Sequence, residues 1–102
     1  MSVDIFTPRA ARELEAAAER IAEDRPDAAE AFLLAALRAA ARLVERPQLG
    51  SIRPHVPSRY RFWPLRRYSY LLVYDTLAEP VRILRVVHMR RDLPRALAQL
   101  RN

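Results

Sequence analysis

The sequence predicts an α+β fold in the order β-α-α-β-β-β-α, an antiparallel sheet with a helical hairpin packed on one face. Three observations carry this. Residues 8–44 hold apolar side chains at helical spacing, broken once at Asp24-Arg25-Pro26-Asp27. Residues 59–88 hold three short aromatic and β-branched runs separated by turn residues. A final stripe of Leu93, Leu97 and Leu100 then repeats at i, i+4 and i+7.

Ser2-Val3-Asp4-Ile5-Phe6 alternates and is expected as a short first strand. Thr7 is placed to N-cap the first helix, with Pro8 at its first position, where a missing N–H costs nothing. Leu14, Ala17, Ala18, Ile21 and Ala22 form its apolar stripe. Asp27 and Glu30 have the spacing of a capping box for the second helix. Phe32, Leu33, Ala36, Leu37, Ala40, Leu43 and Val44 make its broad apolar face, and the short break predicts an antiparallel hairpin.

Pro47 to Pro57 is expected as a loop stiffened by three prolines and hinged at Gly50, the only glycine. Arg59-Tyr60-Arg61-Phe62-Trp63 is a strand that Pro64 ends or confines to an edge. Tyr68 to Tyr74 is the next strand. Val81 to His88, apolar on both faces apart from Arg82 and Arg85, has the pattern of a central strand. Asp92 is placed to cap the last helix, with Pro94 tolerated in its first turn. The hairpin is expected on one sheet face and part of the basic set on the other.

A length of 102 residues fits one domain with one modest core. No apolar run approaches the ~20 residues that span a bilayer, and no signal-peptide pattern opens the chain. The chain has no cysteine, which excludes disulfide and thiolate chemistry and is compatible with a reducing cytoplasm. His55 and His88 stand far apart, so neither a metal site nor a cofactor is expected.

Charge is unevenly spread. Residues 1–50 hold seven Arg against nine acids, a net of −2, and residues 51–102 hold eleven Arg against three acids, a net of +8. Every one of the 18 basic residues is Arg. Guanidinium recognises carboxylate and phosphate through a planar fork and stays charged near neutral pH. The basic half therefore points to an acidic protein partner or a polyanion. Arg9, Arg12, Arg20, Arg38, Arg42 and Arg46 are interspersed with acids and are explained as solvated helix surface. Arg59, Arg61, Arg66 and Arg67 are different, because no acid stands between Glu45 and Asp75. With Arg90 and Arg91 they are the candidate partner-binding residues.

The ordered set of pieces resembles the RelE/ParE superfamily of bacterial toxins, and most closely its ParE branch of plasmid-stabilisation proteins. The pieces are an opening strand into Thr7-Pro8, the helical hairpin, and Leu43 with Pro47…Gly50 before the loop. They continue with Tyr68-x-Tyr70-x-x-x-Tyr74 and end at Ile83-Leu84-Arg85-Val86-Val87-His88 closed by Arg90-Arg91-Asp92. The resemblance spans nearly the whole chain. It implies a type II toxin that stalls DNA gyrase, blocks replication and is neutralised by a cognate antitoxin. Operator DNA would be bound only indirectly, through that antitoxin.

The alternative is a RelE-like, ribosome-dependent mRNA endonuclease. Cleavage through a 2′-hydroxyl needs a proton acceptor, a proton donor and cations around the phosphorane. His88, Arg85 and Arg61 are the candidates for those roles. The last tyrosine is Tyr74, and nothing beyond Asp92 titrates usefully near neutral pH. RelE-like nucleases often carry a tyrosine close to the C-terminus, so its lack here argues for inhibition without catalysis. For His88, a structural hydrogen bond at the strand–helix corner is the competing explanation. A third reading, a non-toxic basic nucleic-acid-binding domain, lacks a helix-turn-helix or RNP-type motif.

Overall fold

A computed structural model describes residues 5–100. Helix α1 spans Pro8–Asp24 and α2 spans Ala28–Glu45. Strands β1 (Tyr60–Leu65), β2 (Tyr70–Asp75) and β3 (Arg82–His88) follow, and α3 (Leu93–Leu100) ends the described chain. The strands form an antiparallel sheet in the order β1-β2-β3.

The start of α1 forms as its residues predict. Thr7 is extended, and its Oγ1 accepts from the Ala10 amide at 3.1 Å while Pro8 fills the first turn. The expected capping box of α2 does not form. Asp27 has αR backbone angles and its side chain caps nothing; the break falls instead at Arg25, which is extended and whose carbonyl accepts from the Ala28 amide. A cap carboxylate reaches back only from an extended residue, so Asp27 is already too helical for that role. The small residues Ala17, Ala18, Ala36 and Ala40 are buried, and they let the helices lie close. Val44, expected on the apolar face, is 39% exposed.

Most of the expected first strand, Ser2–Asp4, lies outside the described residues. Its end is visible: Phe6 makes a parallel bridge with Ile83. Ile5 accepts from the Ile83 amide and Thr7 donates to the Ile83 carbonyl. Among the described residues β2 is the central strand. β3 lies between β2 and this short segment, so its central character holds only over that stretch. All six residues of β2 are buried, alternating between the two sheet faces.

A register shift between Val73 and Tyr74 leaves Leu84 as an extra residue in β3. This bulge lets Ile83 and Val86, three apart, both face the helices. Tyr68 is not in β2. It ends a 3-10 turn, Arg66–Tyr68, and Ser69 then adopts a left-handed φ of 62°.

Two apolar clusters result. One lies between the hairpin and the sheet and includes Leu14, Phe32, Leu43, Leu72, Tyr74 and Ile83. The other is Val56, Phe62, Leu71, Val73, Val87 and Ala96, with Leu93, Leu97 and Leu100 of α3 packed against it. Each fully buried large side chain contributes roughly 1.5–3 kcal/mol. The second sheet face is thus covered by α3 and the Pro47–Pro57 loop. It is not the open basic face expected from charge alone.

Candidate partner-binding surface

The four arginines from Arg59 to Arg67 are divided by β1, whose six residues span roughly 20 Å. Arg59 lies at the end where Tyr60 pairs with Asp75. Its Nε and Nη2 donate to the two Asp75 carboxylate oxygens at 3.1 and 2.6 Å. This fork holds the Asp75 carboxyl below the usual carboxylate range and pushes the Arg59 guanidinium further up. Asp75 also accepts from the Leu77 amide, which fixes the turn after β2. Arg61 points to the helix-side face and donates to the carbonyls of Gly50 (2.7 Å) and Gln48 (3.3 Å). Both side chains are engaged within the fold.

Arg66 and Arg67 sit in the 3-10 turn at the other end of β1 and are exposed. Arg90 and Arg91 are exposed in the turn after β3. The Met89 amide donates to the Ser69 carbonyl at 2.8 Å and ties these two turns together. Four of the six candidates therefore gather at one end of the sheet. Beside them runs an open cleft of about 410 Å³, lined by Leu34, Ala35 and Arg38 of α2 and by Leu65, Arg66, Arg67 and Tyr68. Leu34 is 44% exposed at its rim. The nearby acid Asp92 lies 3.7 Å from Arg91.

His88 closes the same end. Its Nδ1 accepts from the amides of Arg90 (3.2 Å) and Arg91 (3.3 Å), and its ring meets Tyr70 edge-on with centroids 5.2 Å apart. An acceptor Nδ1 requires the Nε2–H tautomer. Burial lowers the His88 pKa first, and the Arg91 charge adds to it. Arg85 is held elsewhere. It donates to Glu13 of α1 through Nε (3.0 Å) and Nη2 (2.9 Å), and to Gln99 of α3 through Nη1 (2.7 Å). The candidate nuclease residues His88, Arg85 and Arg61 are thus each bound to different parts of the fold. Among the described residues no group of three or more His, Asp or Glu side chains could hold a metal ion. No helix among them is long and apolar enough to cross a membrane.

Three contributors escaped the sequence reading. In the sequence Glu13 is one more acid among the charged residues of the first helix. Arg53 stood alone in a loop. Tyr74 ends the strand expected from Tyr68, yet its hydroxyl donates to the Pro47 carbonyl and accepts from the Gly50 amide at 2.8 Å. Gly50 is not a hinge: its φ of −70° suits any residue. What it supplies is room, since a Cβ there would lie 2.5 Å from the Tyr74 hydroxyl. Only the three-dimensional pairing of the loop with β2 reveals this.

No curated protein matches the chain. The family model described as the ParE toxin of type II toxin-antitoxin systems, parDE, matches residues 5–93. That span takes in the hairpin, the whole sheet and the basic corner, so the chain belongs to the ParE toxin family of type II toxin–antitoxin systems.

Proposed function

We propose that this chain inhibits DNA gyrase, blocks replication without catalysis of its own, and is held inactive by a cognate antitoxin with an acidic binding segment. Family membership supports the toxin role. The observation that carries the reading is the state of the residues a nuclease would use. The His88 Nδ1 is occupied by two backbone amides, Arg85 by Glu13 and Gln99, and Arg61 by loop carbonyls. Groups so tied have little freedom to take a proton from RNA or to follow a phosphorane. The arginines left exposed at the sheet end suit an acidic protein surface.

The test is a supercoiling and cleavage assay with purified gyrase and chain freed of antitoxin. Loss of supercoiling with accumulated protein-linked DNA breaks is expected, and the His88→Asn variant should retain it. No effect from a folded sample that still binds its antitoxin would overturn the gyrase target and direct the search to ribosomes and mRNA.

A further inference from the structure

A second pocket, of about 470 Å³, opens beside β1, an edge strand of the three-stranded sheet. Arg53 of the loop and Arg66 of the 3-10 turn line it, together with Phe62, Trp63, Leu71 and Met89. Two arginines therefore line one concave space, and no acidic residue lines it. Asp75 is paired with Arg59 and Glu13 with Arg85, so neither carboxylate serves this pocket.

Arg53 is the telling residue. Its Nε is buried and has no hydrogen-bond partner among the described residues. Its guanidinium carbon lies 4.9 Å from the centroid of the Phe62 ring. Stacking on an aromatic ring restrains the planar group, so less freedom is lost when an acceptor arrives. A buried donor without an acceptor leaves the hydrogen bonding of Arg53 incomplete within the fold.

We propose that this pocket receives a glutamate side chain from an acidic, partly apolar segment of a protein partner. The carboxylate sits between Arg53 and Arg66, and its methylene stem lies on Leu71 and Met89. A nucleic-acid strand is the poorer fit. It needs a groove of cations that follows its backbone, whereas these two arginines close a single apolar-floored pocket. The inference goes beyond the gyrase reading and does not depend on it, because its test contains no gyrase.

The probe is a capped peptide of alternating leucine and glutamate, added to the full chain with nitrogen-15-labelled arginine. The Arg53 Nε–H resonance should move and saturate. The same peptide with glutamine in place of glutamate should leave it unmoved. Affinity should fall about tenfold in Arg53→Lys and in Arg66→Gln, each of which removes a charge-assisted contact. Arg53→Lys keeps the charge and a stem over Phe62, so it tests the guanidinium fork in a folded chain. Arg12→Gln, on exposed α1, removes the same charge as Arg66→Gln and should change affinity less than about twofold if binding is local and not diffuse. A static Arg53 resonance overturns the proposal. So does an equal response to the glutamine peptide, an equal response to oligothymidylate of matched charge, or an equal loss in Arg12→Gln.

Discussion

Tyr74 is wholly buried, and its hydroxyl satisfies two backbone groups of the Pro47–Gly50 turn. Tyr74→Phe leaves the Gly50 amide and the Pro47 carbonyl short of a partner. The expected loss is about 1–3 kcal/mol in denaturant unfolding. Gly50→Ala forces a methyl against the same ring and should cost about 1–3 kcal/mol as an overpacked site. The two losses should add to less than their sum, because the phenylalanine removes the atom in closest conflict. Burial also raises the Tyr74 pKa, so its neutral form is favoured in the fold. That contribution is present below the ordinary tyrosine value of about 10 and fades as pH rises through the raised folded value. Tyr74→Phe should therefore flatten the alkaline limb of a melting-temperature profile.

His88 has the opposite dependence. Its folded pKa is lowered, so the unfolded chain binds more protons just below the ordinary histidine value of about 6.5. Stability from this residue is complete above that value and is lost as pH falls toward the folded pKa. Nitrogen NMR should show an unprotonated Nδ1 at neutral pH and a midpoint below about 6.5. A midpoint above it, or a protonated Nδ1, would remove the corner hydrogen bonds from the account. The placement of His88 at the strand–helix corner was legible in the sequence. Its acceptor role was not fixed there, because only the folded turn brings the Arg90 and Arg91 amides back onto Nδ1.

At the scale of elements, the joint between α1 and β3 depends on one carboxylate. Glu13 accepts from the Arg85 guanidinium and, through Oε1, from the Val86 amide at 2.9 Å. The Val86 amide lies on the outer edge of β3, beyond the reach of the Ile5–Thr7 segment, so Glu13 closes an otherwise open ladder position. Arg85 has only 12% of its side chain accessible. Glu13→Gln keeps the shape but leaves that charge uncompensated. The expected loss is about 2 kcal/mol, short of the roughly 3–5 kcal/mol for a fully buried pair. Glu15→Gln, on the exposed side of α1, should change the unfolding midpoint little. Equal effects of the two variants would show that the pair adds nothing to the joint. Helix and strand positions were legible because apolar spacing and Thr7-Pro8 state them locally. The Leu84 bulge, the Glu13–Arg85 pair and the covered second face depend on contacts between distant residues, which periodicity does not encode.

Across the whole molecule, a basic C-terminal half does not become a uniformly basic face. Arg59, Arg61 and Arg85 are drawn inward by Asp75, loop carbonyls and Glu13, while Arg66, Arg67, Arg90 and Arg91 are left at one end of the sheet. Like charges gathered there repel one another, and an acidic partner relieves that repulsion. The division predicts two phenotypes within a set of arginines that the sequence treats alike. Arg66→Ser with Arg67→Ser should weaken antitoxin binding and reduce its salt dependence while leaving the melting temperature nearly unchanged. The reason is that exposed charges act over about 8 Å at physiological ionic strength and contribute little to folding. Arg59→Ser should instead lower the melting temperature, because Asp75 loses its fork at the β1–β2 edge, and should leave the salt slope of binding close to that of the unaltered chain. Calorimetric titration at several salt concentrations, paired with thermal melts, separates the two. Steeper loss of binding from Arg59→Ser than from the Arg66/Arg67 pair would place the partner at the opposite end of the sheet, beside the Asp75 turn.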